Sequence, residues 1–194
     1  MAGDRDEHGG VIWLMKNPQL GIPTANIPVE GVSWIDSAES GVYFGWAGIQ
    51  LPSDHPDLNS TSTAPSFSPP PSSTNSEQVV LKEKMPPCPV KLSEEKEKEG
   101  WRLYPMVMSI GYNPFYKNTV RSAEVHVLQK FEKDFYGSEM RILIMGYIRP
   151  EYDYIDLESL VKDIMVDCEV AGKSLGREKW GPPGEDAKYL WSEA

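Results

Sequence analysis

The chain has 194 residues, 40% of them hydrophobic, and a formal net charge of −10 at pH 7. This length fits one domain, and we expect a single domain over residues 1–194. The acidic balance argues against a nucleic-acid partner and against docking on an anionic membrane by charge alone, because both need a basic face.

The N-terminal residues and the cysteines indicate the compartment. Residues 1–7 are polar and acidic and lack the basic start and apolar core of a signal peptide. The apolar run at residues 11–15 is too short to cross a bilayer. Cys88 and Cys168 form no CxxC or disulfide pattern, which favours a reducing compartment. We therefore expect a cytoplasmic monomer without a transmembrane segment, with mitochondrial association left open.

Strand-like segments dominate the first three quarters of the chain. They are residues 11–15, 41–49, 103–110, 123–131 and 140–148. Glycines inside the second segment indicate bends or bulges. Alternation in the fourth segment puts Glu124 and His126 on one face and Val125 and Val127 on the other.

A long polar segment separates the second and third predicted strands. Residues 52–100 are rich in Pro, Ser and Thr and end in a run of alternating charges at residues 94–99. Such a composition buries too little apolar surface to offset the entropy of ordering the chain. The sequence therefore predicts a disordered insertion at about 52–100, in preference to a long ordered loop.

Helical periodicity occurs only late in the chain. Asp156 fits an N-cap, and apolar residues then recur at steps of three and four to about Gly172. A second, short helix is predicted near residues 186–191. Strands followed by a helix favour a small antiparallel barrel or sandwich with the helix packed against it.

The most informative short motif is Gly-Ile-Pro-Thr-Ala-Asn at residues 21–26. Thr24 and Asn26 offer hard oxygen donors of the kind that Mg²⁺ accepts beside phosphate oxygens. Pro, Thr and Asn are also common in plain turns, and composition alone favours the turn.

Two charged residues on the predicted strands are further candidates. Glu124 could act as a base toward a substrate hydroxyl, but a lone strand glutamate is more often a solvent-facing one. Arg149, at the end of an apolar strand, could grip a ligand or simply end the strand. The chain contains neither a Walker A motif nor a G-x-G-x-x-G motif, which argues against a P-loop or protein-kinase fold.

Four sequence blocks, in order, together resemble the riboflavin kinase family. They are Gly-Ile-Pro-Thr-Ala-Asn at 21–26, Ser-Ile-Gly-Tyr-Asn-Pro-Phe-Tyr-Lys-Asn-Thr at 109–119, Glu-Val-His at 124–126 with Phe-Glu-Lys-Asp-Phe-Tyr-Gly at 131–137, and Gly-Tyr-Ile-Arg-Pro-Glu at 146–151 with Leu-Glu-Ser-Leu at 157–160. The resemblance covers most of residues 20–50 and 104–170 and favours the single-domain eukaryotic type.

The resemblance implies a mostly β fold, a six-stranded Greek-key barrel with a C-terminal helix across it. It implies transfer of the γ-phosphoryl of ATP to the ribityl 5′-hydroxyl of riboflavin, which yields FMN and ADP. Thr24 and Asn26 would contact Mg²⁺, or alternatively Zn²⁺, together with the ATP phosphates. Glu124 would be the general base. Phosphoryl transfer suits such a site, because it needs positioning and charge neutralisation more than covalent chemistry.

The resemblance also assigns the two ends of the substrate site. Tyr136 would lie near the nucleotide. Arg149, Glu151 and Tyr154 would lie on the flavin side. The implied partners are the small molecules ATP and riboflavin.

The chain departs from the family pattern before residue 20. Residues 8–19 do not match the family's usual first strand and Gly-Arg-rich loop, so the first strand is predicted to be missing or altered. This leaves an alternative function, a flavin- or nucleotide-binding barrel with impaired catalysis. A third hypothesis is an interaction module that uses the acidic insertion.

Overall fold

A computed structural model of the chain describes residues 13–16, 23–27, 29, 32–59, 90–112, 121–181 and 187–192. Six strands are described: β1 (Trp13–Lys16), β2 (Pro23–Asn26), β3 (Gly41–Gln50), β4 (Trp101–Gly111), β5 (Ser122–Val127) and β6 (Met140–Pro150). The helices are α1 (Ser33–Ser37), α2 (Glu94–Lys98) and α3 (Leu157–Leu175). Two 3₁₀ turns, Pro56–Asn59 and Glu178–Trp180, complete the described elements.

The six strands form one antiparallel sheet in the order β1-β2-β5-β4-β3-β6. This confirms the predicted six-stranded barrel-like architecture with a C-terminal helix. Within the described residues the sheet is not closed, and β1 and β6 are its two edges. A strand does precede the 21–26 motif, since β1 pairs with β2 from Trp13 to Lys16, so the first strand is not missing.

Strand β3 lies between β4 and the edge strand β6. It pairs with β4 along its whole length and with β6 along most of it. Its register with β6 shifts between Val42 and Tyr43 and again between Phe44 and Gly45. A side chain at Gly45 would overlap the backbone carbonyl of Leu143 on β6. The predicted bulges are therefore present, and glycine permits the close approach of β6.

Strand β5 is shorter than predicted. It ends at Val127, and the backbone N–H of Leu128 donates a 2.8 Å hydrogen bond to the carbonyl of Pro105. Within the strand the predicted alternation holds, because Ala123, Val125 and Val127 are buried and the residues between them are half-exposed.

The two faces of the sheet cover two hydrophobic cores. The inner core gathers buried side chains from five strands and the adjoining loops: Ala25, Ile35, Ala47, Ile49, Leu51, Met106, Met108, Ile110, Ala123, Val125, Val127, Phe135 and Met140. The helix-side core joins the opposite face to α3 and the C-terminal segment: Val42, Phe44, Trp46, Val107, Leu128, Cys168, Ala171, Leu175 and Leu190. Burial of such apolar area supplies the main drive for folding.

Helix α3 begins where the sequence predicts. The carboxylate of Asp156 accepts a 2.7 Å hydrogen bond from the backbone N–H of Ser159, as an N-cap does. The helix ends at Leu175, three residues beyond the predicted end. Residues 187–192 form a short helical turn, in agreement with the second predicted helix. Within the described part of the chain, no helix is long and apolar enough to span a membrane.

Both ends of the predicted disordered insertion are ordered, so its predicted limits are too wide. At the first end, residues 52–59 contain a 3₁₀ turn with His55 and Asp57 buried. At the second end, Ser93 caps α2 by accepting from the backbone N–H of Lys96. Residues 60–89 lie outside the described residues.

Burial makes Cys168 unreactive. Its side chain is fully buried in the helix-side core, and burial raises the pKa of the thiol to about 12. Since the thiolate is the reactive form, we expect a Cys88→Ser variant to show no reaction with a thiol reagent at pH 8 while folded. Unfolding in guanidinium should release one reactive thiol. Modification of the folded protein within minutes would contradict this packing.

Candidate active site

The last four residues of the 21–26 motif enter the sheet instead of forming a turn. Pro23–Asn26 is strand β2, and Asn26 lies directly opposite Glu124 on β5. Ala25 and Val125 are opposite each other and point into the inner core. Because side chains alternate along a strand, Asn26 and Glu124 share the other face. Thr24 is two residues from Asn26, so it lies on that face as well.

The register extends this pair into a row across five strands. Glu124 lies opposite Ser109 on β4, Ser109 opposite Val42 on β3, and Val42 opposite Arg149 on β6. Val42 belongs to the helix-side core, so the row lies on the face that α3 covers in part. Three strand spacings separate Glu124 from Arg149, which is about 14 Å between Cα positions. We call Asn26, Glu124, Ser109, Val42 and Arg149 the cross-sheet row.

Arg149 is held by a bidentate ion pair. Its Nε and Nη2 donate to the two carboxylate oxygens of Asp167 on α3 at 2.9 and 2.8 Å. The guanidinium also lies 4.7 Å from the ring centroid of Tyr152. These contacts fix the orientation of Arg149 at one end of the row and tie β6 to α3.

The two partners of this ion pair respond differently to burial. Burial raises the pKa of the Asp167 carboxyl more than the guanidinium lowers it. At Arg149, burial lowers the pKa, but the hydrogen bonds and charge of Asp167 outweigh it and leave the pKa raised. Two parallel bonds below 3 Å are the geometry of an ionised pair, so we assign charge to both groups.

Glu151 lies beside the row. A side chain at Gly111 would overlap the carboxylate of Glu151, so this carboxylate packs directly on the glycine backbone. Gly111 follows Ser109 by two residues on β4 and thus faces the same way. The fold therefore brings Glu151 next to β4, although it does not belong to the row itself.

Tyr154 is bound to the same helix. Its hydroxyl donates a 2.8 Å hydrogen bond to Asp163. Burial, followed by that bond, raises the pKa of Tyr154, which therefore stays a neutral phenol. Asp163 and Asp167 are one helical turn apart, so α3 holds the segment from Arg149 to Tyr154 at two points.

Tyr136 lies apart from the row, in the β5–β6 loop of residues 128–139. The backbone N–H of Ser138 donates to the carbonyl of Phe135, and Gly137 has φ 74°, which is the pattern of a type II turn. The buried ring of Phe135 anchors the turn, and Tyr136 is 53% exposed. The loop begins at the end of the strand that carries Glu124, so the two predicted groups share one connected segment.

Several residues of this face were not predicted from the sequence. Asp167 and Asp163 bind the side chains of Arg149 and Tyr154, and Gly111 accommodates Glu151. The sequence does contain an indication for the two aspartates, because both interrupt or border the apolar stripe of α3. Nothing local to Gly111 could have indicated its role, since its neighbour Glu151 is forty residues away.

The donors that β2 offers to a metal ion at this face are neutral oxygens. Within the described residues, no group of three or more His, Cys, Asp and Glu side chains gathers into a site. Thr24 and Asn26, about 7 Å apart along β2, supply a hydroxyl and an amide oxygen on one face. Mg²⁺ is commonly held by few protein ligands and completed by phosphate oxygens and water, so this donor set fits it.

Comparison with known proteins gives consistent matches. The family model for riboflavin kinase, named Flavokinase, matches residues 16–175. A riboflavin kinase of Chaetomium globosum is 51% identical over 172 residues, which cover 88% of this chain and 70% of that protein. A riboflavin kinase of Pyricularia oryzae is 49% identical over 168 residues, covering 86% and 67%.

The comparison with solved structures supports the same fold. A riboflavin kinase from Trypanosoma brucei matches with a TM-score of 0.53 and 23% sequence identity. The match covers 88% of this chain and 77% of the solved chain. At this level of identity the likeness supports the fold, namely the barrel-like sheet with a C-terminal helix.

Loss of one partner of the Arg149–Asp167 pair should destabilise the fold. In Asp167→Ala the guanidinium stays largely buried without its counter-charge, so we expect unfolding to become easier by about 3 kcal/mol in urea titrations. The double variant Arg149→Met/Asp167→Leu removes both charges and should recover most of that loss. Equal stability of Asp167→Ala and the wild type would show that the ion pair does not anchor β6 to α3.

Proposed function

The chain belongs to the riboflavin kinase family, and we propose that it transfers the γ-phosphoryl of ATP to the ribityl 5′-hydroxyl of riboflavin at the cross-sheet row. The family's reaction is the phosphorylation of riboflavin to FMN. The observation that carries the proposal for these residues is the pairing of Asn26 with Glu124. It puts an oxygen donor and a carboxylate on neighbouring strands and on one face.

Glu124 is the proposed general base. Its carboxylate can accept a hydrogen bond from the attacking hydroxyl and take its proton as the new P–O bond forms. The side chain is half-exposed on the same face as the helix-side core, so a substrate hydroxyl can approach it. Ser109, directly opposite on β4, is small and leaves room beside the carboxylate.

Thr24 and Asn26 are the proposed metal and phosphate contacts. Mg²⁺, or Zn²⁺ in its place, would supply charge neutralisation for the transferring phosphoryl group. The protein's own contribution is to hold both oxygen donors on a paired strand beside Glu124. This fixes the distance between the phosphate end of the nucleotide and the base, which is where phosphoryl transfer gains most from the enzyme.

The flavin is proposed to lie toward the Arg149 end of the row. Riboflavin joins its reacting hydroxyl to a broad ring system through a five-carbon chain, and the row has a matching elongated form. Glu151, which packs on Gly111, and Tyr154, which α3 holds through Asp163, would flank that end. Because the Arg149 guanidinium is committed to Asp167, we assign it a role in shaping the flavin side instead of direct charge pairing.

The nucleotide is proposed to extend from Thr24 and Asn26 toward Tyr136. The exposed ring of Tyr136 stands on an anchored turn and is suited to stacking on a base. With the flavin at the β6 edge and the nucleotide toward the β5–β6 loop, the two substrates would approach Glu124 from opposite directions.

The role of Glu124 can be tested by replacing its carboxylate. With Mg·ATP and riboflavin, Glu124→Gln should form FMN roughly 10²–10⁴-fold more slowly than the wild type, because an amide cannot take the proton. FMN is separated and quantified by chromatography. Glu95→Gln, an exposed change on α2, is the matched control and should behave as the wild type.

Two outcomes would contradict the proposal. Full activity of Glu124→Gln would remove the carboxylate from the mechanism. Riboflavin binding by the wild type, seen as quenched flavin fluorescence, without any FMN formation would favour the alternative of a binding barrel with impaired catalysis.

Gly111→Ala tests the flavin side. The new methyl group would displace the carboxylate of Glu151, a flexible side chain that can move at little cost in stability. We expect a raised KM for riboflavin, a KM for ATP close to that of the wild type, and little change in Tm. If instead only the KM for ATP rises, Glu151 lies on the nucleotide side.

A further inference from the structure

The first end of the insertion is docked on the β5–β6 loop. His55 and Asp57, from the 52–59 segment, are 2% and 4% exposed. Buried polar side chains need hydrogen-bond partners, and each of these two has a partner on the loop. A segment predicted to be disordered thus contributes two of the few buried polar side chains in the described part of the chain.

Both side chains hold the loop by its backbone. The Nε2 of His55 lies 2.9 Å from the carbonyl oxygen of Lys133, and its Nδ1 accepts from the backbone N–H of Asp57 at 3.3 Å. The Nδ1 also lies 3.4 Å from a carboxylate oxygen of Asp57, so the two side chains contact each other as well as the loop. The carboxylate of Asp57 accepts a 3.0 Å hydrogen bond from the backbone N–H of Glu132. Two adjacent residues of the loop, Glu132 and Lys133, are therefore held by side chains of the 52–59 segment.

An aromatic cluster links His55 to the residue that precedes Tyr136. The ring of His55 lies 6.3 Å from Phe131 and 6.5 Å from Phe135, and the two phenylalanine rings are 4.5 Å apart. Phe135 is buried and immediately precedes Tyr136. Edge-to-face packing of this kind restricts ring positions. Tyr136 therefore leaves the turn in a direction set in part by His55.

Arg102 fastens the same segment to the sheet. Its guanidinium donates to the carbonyl of Leu58 at 2.7 Å and to that of Glu97 at 3.0 Å, so one strand residue joins the two ends of the insertion. The 52–59 segment consequently has attachments on the sheet as well as on the loop.

We propose that His55 and Asp57 are positioning residues that fix the β5–β6 loop for nucleotide binding through Tyr136. The inference rests on the proposed function, which puts the nucleotide at this loop. The 52–59 segment would then contribute to nucleotide binding, although its composition predicts only disorder. Neither residue touches the reacting atoms, and both act through the loop backbone.

Asp57 offers a matched pair of variants. Asp57→Ala removes the acceptor for the Glu132 N–H, whereas Asp57→Asn keeps an oxygen acceptor of nearly the same shape. Binding of Mg·ADP is measured by calorimetry and binding of riboflavin by fluorescence. We expect Asp57→Ala to weaken ADP binding about tenfold, as the loss of one positioned hydrogen bond would. Asp57→Asn should bind ADP within about twofold of the wild type on the same scale, and riboflavin binding should stay unchanged in both.

Two further variants complete the test. Asp54→Ala removes an exposed ion pair with Lys133 on the same loop and should leave ADP binding unchanged. If Asp57→Ala does not fold, His55→Phe keeps the ring packing but removes the bond to Lys133, and it should weaken ADP binding in the same way.

The outcomes separate this inference from the proposed function. Equal ADP affinity in Asp57→Ala and Asp57→Asn, or equal losses of ADP and riboflavin binding, would overturn the positioning role while FMN formation by the wild type stands. Absence of FMN formation by the wild type would instead overturn the proposed function, even if Asp57→Ala selectively loses ADP affinity.

Discussion

The pairing register of β5 is the constraint on which the site depends. Val125 must point into the inner core, and this alone forces Glu124 to the opposite face. The same register sets Asn26 on one side of Glu124 and Ser109 on the other. A slip by one residue would bury the carboxylate and expose Val125, so the hydrophobic core and the site are specified together.

Helix α3 stabilises the far end of that face. Its apolar side contributes Cys168 and Ala171 to the helix-side core, while Asp167 reaches Arg149 on the sheet edge. An edge strand such as β6 has unpaired backbone groups on one side, and a charged side chain held to a helix is one way to order it. Packing and ion pairing therefore act on the same strand and hold the Arg149 end of the cross-sheet row.

Much of the fold could be predicted because local patterns are strong. The glycine-containing strand that became β3 and the cap at Asp156 were both recognisable from local sequence. Strand β2 could not be predicted from its own residues, because their composition is typical of a turn. They form a strand because they pair with β1 and β5, which are distant or separate segments of the chain. The ordered start of the insertion was missed because His55 and Asp57 owe their burial to the distant Glu132 and Lys133.

The site residues show the same division. Resemblance to a family named Glu124, Thr24 and Asn26, but only the register shows that Glu124 and Asn26 are neighbours. Composition could not indicate that Arg149 is paired with Asp167 on α3, eighteen residues further along the chain. Side-chain partners far apart in sequence are set by the tertiary fold, which local propensity does not encode.

A crystal structure with riboflavin and Mg·ADP would test the central claim most directly. The ribityl 5′-oxygen is predicted to lie within hydrogen-bond reach, about 3 Å, of a carboxylate oxygen of Glu124, with the ring system toward Arg149. Riboflavin bound on the inner-core face, or with its 5′-oxygen out of reach of Glu124, would contradict it.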